Sequence, residues 1–461
     1  MAKAGAAPSG RGWTLFCLFV LPAVYMGLFG EFTVGRSTIV APSLVIAGVA
    51  MLLFTGFAVT QLRHVARLPL LVPVGCYFLA GCLSGLYSIS PLHWIRGLLE
   101  LALAFCFFYV PYFFLHNRRQ LERCLNLLVV LAAATVLFAI LQSVFFSSLR
   151  RVLEVLYRKE DLWWIVGWGW RGRMVGNWVH PSYLGSVLNV AAPFALLRWR
   201  RADTFRKRGV TLALYLTLAA GIALTGTRTP ILAFLSASIV FMVLAHAIRR
   251  DWGAVACAAA LVIALSFFHF RFAPPDVGST MRLPRSVATM ERLELRRPQS
   301  TATIKMRWTT QNEALSLFRA SPLFGIGMRN YPDVARSDPM AVFSVHNSLV
   351  QNLTELGLIG LTAFLVLIGA ALRSDFRPSL SSHSDLRSVR AALFCSSAAI
   401  LLESLAENSL SVWQVMALFW LVRGISVAVA RHPAAFLKFS EAAAGTECRE
   451  VCFQPDHVLG V

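Results

Sequence analysis

CLNLLVVLAAATVLFAILQSVFFS, residues 124–147, is a run of 24 residues without a single Asp, Glu, Lys or Arg. A hydrocarbon core about 30 Å thick needs about 20 apolar residues in helical form, so this stretch is long enough to cross a bilayer. Outward from it the same signature recurs in both directions. About twelve such spans are expected, at 13–30, 37–60, 68–88, 95–115, 124–147, 180–198, 209–227, 229–248, 253–270, 347–372, 389–405 and 409–430. The first follows Lys3 and Arg11 as a signal peptide would, yet has no A-x-A-type cleavage site, and is expected to stay as an anchor. The expected fold is an all-α polytopic membrane protein.

Composition agrees. The chain is 57% hydrophobic and only 14% charged, against about 25% charged in soluble domains. That excludes a soluble globular protein, a disordered chain and a disulfide-stapled secreted module. With 43 Lys+Arg against 23 Asp+Glu the net charge is +20. In a polytopic chain basic loops report topology first, and no nucleic-acid partner is expected. Most of the cysteines lie in apolar segments, and no disulfide framework is expected. Cys448 and Cys452 near His457 are a weak zinc signal in the tail.

Orientation follows from the loops. With the N-terminus inside, the inner loops are short and basic, as at Arg63/Arg67, Arg118/Arg119/Arg123, Arg198 through Arg208, Arg249/Arg250 and Arg373 through Arg390. The short outer connections hold only Arg36 and Arg228 as basic residues. Both termini are therefore expected on the cytoplasmic side. The expected organisation is nine helices over 1–270, with an amphipathic outer segment at 148–179, then a large outer loop at 271–346. Three helices over 347–430 and a cytoplasmic tail over 431–461 complete it. In the amphipathic segment, apolar Leu149, Val152, Leu153 and Leu156 oppose Arg150, Arg151 and Glu154, and Trp163, Trp164, Trp168 and Trp170 follow. It reads as an interfacial helix with an aromatic belt, or as a sugar or lipid entry site. The large loop carries 11 basic and 6 acidic residues, a surface suited to a polyanionic or phosphate-bearing substrate.

Soluble-enzyme motifs are missing. There is no G-x-x-x-x-G-K-[ST], no H-E-x-x-H, no G-x-S-x-G and no D-x-D, which disfavours ATP-driven and nucleotide-sugar chemistry. Polar residues instead gather at outer helix ends. Thr225-Gly226-Thr227-Arg228-Thr229-Pro230 joins two spans almost without a loop, and the planar fork of Arg228 suits a phosphate; snorkelling to water is the plainer reading. From Arg307, Trp308, Leu315 and Phe318 form a helical stripe ending at Ser321-Pro322. Gly325-Ile326-Gly327, before Arg329, makes either a plain turn or one whose N–H groups face an anion. His346, beside Asn347, stands where the loop re-enters the membrane, a placement suited to a general base. Arg173 and His180 open the sixth span.

The order and spacing of these stretches resemble the O-antigen ligase/O-antigen polymerase superfamily. The stretches are RMVGNWVHPSYLGSVLNVAAPFALL (173–197), ALTGTRTPIL (223–232), RWTTQNEALSLFRASPLFGIGMRNY (307–331) and VHNSLVQNLTELGLIGLTAF (345–364). The twelve-span layout with a large loop between spans nine and ten matches as well, and the first five spans carry no matching motif. The resemblance implies a GT-C-like membrane glycosyltransferase in a bacterial inner membrane, taking a glycan from undecaprenyl diphosphate at the periplasmic face without metal or cofactor. It also implies His346 as the loop histidine, Arg228 as the arginine of the T-G-[ST]-R turn and Arg307 as the arginine opening the loop helix. Arg173, His180, Arg329 and Asn347 are expected to bind substrate. Gln311 stands where the family often has an aromatic residue, and the turn continues Thr229-Pro230 rather than Gly-Ala.

The expected reaction is ligase-type, joining a lipid-carried glycan to lipid A-core. The nearest rival is a polymerase acting on a growing polysaccharide, and a protein O-glycosyltransferase is a third branch. A twelve-helix transporter is the reading from another class; it predicts repeated halves and polar residues at midplane, and neither is visible.

Overall fold

The computed structural model of the protein describes residues 13–14, 16–21, 32–34, 37–39, 68–144, 173–176, 178, 180–246, 251–272, 299–334, 345–379, 384–431 and 433–436. The tryptophan-rich stretch 163–170 and the tail cysteines Cys448 and Cys452 lie outside the described residues, as does most of the first two expected spans.

Two three-residue strands, β1 (Phe32–Val34) and β2 (Ser37–Ile39), pair antiparallel. The rest of the described architecture is helical. In chain order come α1 (Leu71–Ser84), α2 (Pro91–Phe114), α3 (Arg118–Val144), α4 (Pro181–Arg201), α5 (Phe205–Leu224), α6 (Arg228–Leu244) and α7 (Trp252–Phe272). Then follow α8 (Gln299–Ala320), α9 (Tyr331–Val334), α10 (Ser348–Ser379), α11 (Ser384–Ser404), α12 (Trp413–Arg431) and α13 (Pro433–Phe436). Local sequence accounts for the starts. Pro91 and Pro181 sit in first turns, where a missing N–H costs nothing. Thr204 caps α5 by accepting from Lys207 N at 3.3 Å, and Asn347 caps α10 by accepting from Leu349 N at 2.9 Å and Val350 N at 3.1 Å.

Ten of the expected spans, from 68–88 onward, fall on helices. Among the described residues five stretches are long and apolar enough to cross a membrane: Pro91–Phe114, Arg118–Gln142, Phe205–Leu224, Ser348–Arg373 and Trp413–Arg431. Leu71–Tyr87, Arg228–Leu244 and Trp252–Phe267 are apolar but shorter. Helices α4 and α11 fall outside both groups for a physical reason. Helix α4 packs on α3, α5, α6, α11 and α12, and α11 packs on α4, α6, α10 and α12. Surrounded by protein, they carry Ser186, Asn189, Arg390, Ser396 and Glu403 in buried positions, where lipid would not tolerate them.

The core is aromatic where α2 meets α12: Trp420 lies 5.1 Å from Phe105 and 5.8 Å from Phe108, both edge-on. The segment after α8 is fastened to α10 by backbone hydrogen bonds. Helix α10 breaks at Gly357, with φ 66°. Ile326 N donates to Thr354 O at 3.1 Å and Gly327 N to Glu355 O at 3.0 Å; in return Leu358 N donates to Pro322 O at 2.9 Å. The approach is reciprocal. A Cβ on Gly325 would lie 2.3 Å from Glu355 C, and one on Gly357 2.3 Å from Leu323 C. Both glycines also hold positive φ, so only glycine serves at either position.

Candidate active site

The C-terminal end of α11, the N-termini of α4, α6 and α10, and helix α8 come together at one end of the bundle. His346 immediately precedes the Asn347 cap and holds φ 53°, a left-handed conformation that a non-glycine residue keeps only when its surroundings impose it. Its Nδ1 lies 3.1 Å from Glu407 Oε2. Arg307 reaches in from α8, donating to Ala406 O at 2.8 Å and pairing with Glu407 Oε1. From α10, Asn347 Nδ2 donates to Leu405 O at 3.0 Å and Ser348 Oγ to Glu407 O at 3.4 Å. The 405–407 turn is thus gripped from two helices.

Electrostatics fixes the protonation of Glu407. Glu407 has a side chain only 1% exposed. Burial alone would raise its carboxyl, but the bond from His346 and the charges of Arg307, His346 and His180 outweigh it and hold the pKa at about 2. An ionised Glu407 can only accept, so the contact is a hydrogen bond from His346 Nδ1–H to Glu407 Oε2. A carboxylate orienting an imidazole in this way leaves the far nitrogen as a base.

Arg228 is the first residue of α6 and is exposed. Among the described residues it makes no hydrogen bond and no ion pair. Its position is nonetheless fixed. Arg173 Nη2 donates to Gly226 O at 2.7 Å and Arg173 Nε to Thr225 O at 3.0 Å. Gly185 of α4 lies so near Pro230 that a Cβ would meet Pro230 Cβ at 2.5 Å. Arg173 thereby holds the turn that presents Arg228. His180, half-buried at the N-cap of α4, accepts from Ser182 N at 3.2 Å, and its ring lies 5.1 Å from that of Tyr183. Tyr183 in turn donates to Asn408 at 3.4 Å, beside Glu407.

Arg329 lies elsewhere. It pairs with Glu100 of α2 and donates to Ser411 O at 3.0 Å, and it lines a cavity of about 60 Å³ with Glu100, Gln351, Ser411 and Trp420. Arg228, Arg307 and His346 do not line that cavity. The Gly325-Ile326-Gly327 turn is a plain one: its N–H groups go to Ser321, Thr354 and Glu355 carbonyls rather than to an anion. The expected helix from Arg307 forms and ends before Ser321-Pro322; among its described side chains Thr310 and Ala314 are buried, and Trp308 is 66% exposed.

Reading the outer connections for basic residues alone passes over Glu407. An acidic residue between two apolar helices is itself a signal, since burying it needs a partner. Buried Glu100 and Glu403 escape in the same way. Among the described residues no three His, Cys, Asp or Glu side chains gather as metal ligands.

The family described as O-antigen ligase matches residues 213–365, from within α5 into α10. The matched stretch contains Arg228, Arg307, Arg329, His346 and Asn347, and Glu407 lies beyond it. No curated protein matches the chain.

Proposed function

We propose that this protein is a multi-pass membrane glycosyltransferase of the O-antigen ligase type. It transfers a glycan from undecaprenyl diphosphate to a sugar hydroxyl of lipid A-core at the periplasmic face of a bacterial inner membrane. The observation that carries this reading is one end of the bundle, which holds a carboxylate-oriented histidine, His346–Glu407, and, at the N-terminus of α6, an exposed arginine without a partner among the described residues, Arg228. The O-antigen ligase match over residues 213–365 supports it. In this reading the twelve-span topology holds, with both termini cytoplasmic and the loop 271–346 periplasmic.

The chemistry is a single displacement. The acceptor oxygen attacks the anomeric carbon, the bond from that carbon to the diphosphate oxygen breaks, and the configuration inverts. The hydroxyl proton passes to His346 Nε2, and the electron pair leaves with undecaprenyl diphosphate. Charge grows on the departing diphosphate. Arg228, at the positive end of α6, stabilises it by bidentate hydrogen bonding and by the helix dipole. Arg307 keeps Glu407 ionised and in place. Arg173 and Asn347 hold the turns that carry Arg228 and Glu407, while His180 and Tyr183 wall the site. Neither metal nor cofactor has a role in this scheme.

A polymerase that extends a growing polysaccharide on its lipid carrier would use the same groups, and the family match supports both acceptors. Purified protein given undecaprenyl diphosphate-linked glycan, with either lipid A-core or a second donor molecule, separates them. Sugar gained by lipid A-core is the expected result. Elongation of the second donor would assign the polymerase reaction, and transfer to neither would refute the proposal.

A further inference from the structure

Glu403 ends α11 one turn before Glu407 and is fully buried. Among the described residues no Lys, Arg or His pairs with it. Its side-chain hydrogen-bond partners are neutral, Asn189 Nδ2 donating to Oε1 and Ser186 Oγ meeting Oε2, and the charged group nearest along the chain is the anionic Glu407. Each of these contacts leads on. The same Asn189 amide donates to Pro230 O at 2.9 Å, in the first turn of α6. Ser186 Oγ also lies 3.0 Å from Ser182 O and 3.1 Å from Ser409 Oγ.

Counting hydrogens decides the charge state. A serine hydroxyl has one hydrogen and two lone pairs. If Glu403 were ionised, Ser186 would give its only hydrogen to Oε2, leaving the Ser186–Ser182 carbonyl contact with none. If Glu403 is the neutral acid, its own O–H donates to Ser186 Oγ, Ser186 donates to Ser182 O, and Ser409 donates to Ser186. Every contact then carries one hydrogen. An uncompensated buried carboxylate would also cost several kcal/mol, a penalty the neutral acid avoids.

We propose that Glu403 is a positioning residue, kept as a neutral carboxylic acid, that sets the Arg228-bearing turn of α6 against the Glu407-bearing turn after α11. The link to Arg228 runs through Asn189 and Pro230. The link to Glu407 runs through Ser186, Ser409 and the backbone of α11 itself. This inference rests on the transfer reaction proposed above for its functional half only. The neutral acid can be observed without any substrate.

The test combines infrared spectroscopy with kinetics on the purified full chain. At neutral pH the wild type should show a protonated-carboxyl carbonyl band that vanishes in Glu403→Gln. Asn189→Leu, which cuts the bond to Pro230, should lower kcat about 10²-fold, as small displacements of reacting groups do, while donor KM stays near the wild-type value. Glu403→Leu should behave likewise. Glu403→Gln presents an N–H where the acid presents its O–H, and should restore most of the turnover that leucine loses. No band lost in Glu403→Gln overturns the neutral acid. Turnover in Glu403→Gln as low as in Glu403→Leu, or unchanged in a folded Asn189→Leu, overturns the positioning role. If Asn189→Leu and Glu403→Leu fail to fold, the band and the turnover of Glu403→Gln still decide. A failure of the transfer reaction itself would appear as an inactive wild type with the band intact.

Discussion

Helix α6 has an arginine at each end, and the two ends are built oppositely. At the C-terminal end, Arg200 of α4 donates to Ala245 O and to His246 O at 3.2 Å, and its Nε lies 3.4 Å from Asp251. A cation there faces the negative pole of the helix, which stabilises it by about 0.3–1 kcal/mol. At the N-terminal end, Arg228 sits on the positive pole with no partner among the described residues. The same dipole works against it. An arginine that finishes a helix has its role within the fold; one placed against the dipole waits for an anion from outside.

This contrast can be broken most sharply at Arg228. Arg228→Ala should lower kcat by about 10²–10³-fold, the usual effect of removing one preorganised charge stabiliser, and leave the melting temperature nearly unchanged. Arg228→Lys should recover little, because an ammonium cannot form the bidentate clamp. Arg96, paired with Glu100 at 3.0 Å, should tolerate alanine far better. Equal tolerance at both positions would reduce Arg228 to a snorkelling side chain.

Next in size is His346→Ala, expected to lower the chemical rate by about 10²-fold while donor affinity, held by Arg228, persists. Turnover near wild type in a well-folded variant would remove the base from the mechanism.

Arg200→Ala tests the other end. It should cost about 1.5–3 kcal/mol of stability through lost charge-assisted hydrogen bonds, and leave the rate per folded molecule unchanged. A rate loss without a lower melting temperature would show that the two ends are not as distinct as their bonding implies.

The pH dependence of stability gives a smaller effect. Glu407 is held at about 2 in the fold, against about 4.3 for an unperturbed glutamate. Its contribution is therefore complete above about pH 4.3 and is lost as the pH falls towards 2. Glu407→Gln should flatten that acid decline in thermal stability; an unchanged decline would place the titrating group elsewhere. The smallest expected effect is that of EDTA, which should leave turnover unchanged, and rescue of chelated enzyme by Mg²⁺ would refute the metal-free scheme.

The helices are legible in the sequence because an apolar run of spanning length is hard to accommodate anywhere but in a bilayer. Arg228 and His346 are legible because they interrupt such runs at their ends. Helices α4 and α11 show the limit of that reasoning. Their polar residues lower their hydropathy for a reason found only in the packing, namely that neighbouring helices surround them. Glu407 stays hidden from a search for positive charge, although Arg307 and His346 both depend on it. Arg173 and Asn347 are visible as polar residues, but their partners are backbone carbonyls of distant turns, which no sequence spacing displays. At Gly325 and Gly357 the residue type is informative, yet that the two glycines face each other emerges only in three dimensions.

The reciprocal contact at Gly325 and Gly357 has a consequence for chronology. A ribosome delivers α8 before the broken segment of α10 to which it docks, and Glu407 follows Arg307 by 100 residues and His346 by 61. While synthesis is under way, the early part of the chain offers Arg307 and His346 without the carboxylate that both engage. A nascent chain halted before Glu407 therefore has most of the described helices and lacks the carboxylate that orients its histidine. In the reaction proposed above, the His346–Glu407 pair is completed only in this late step.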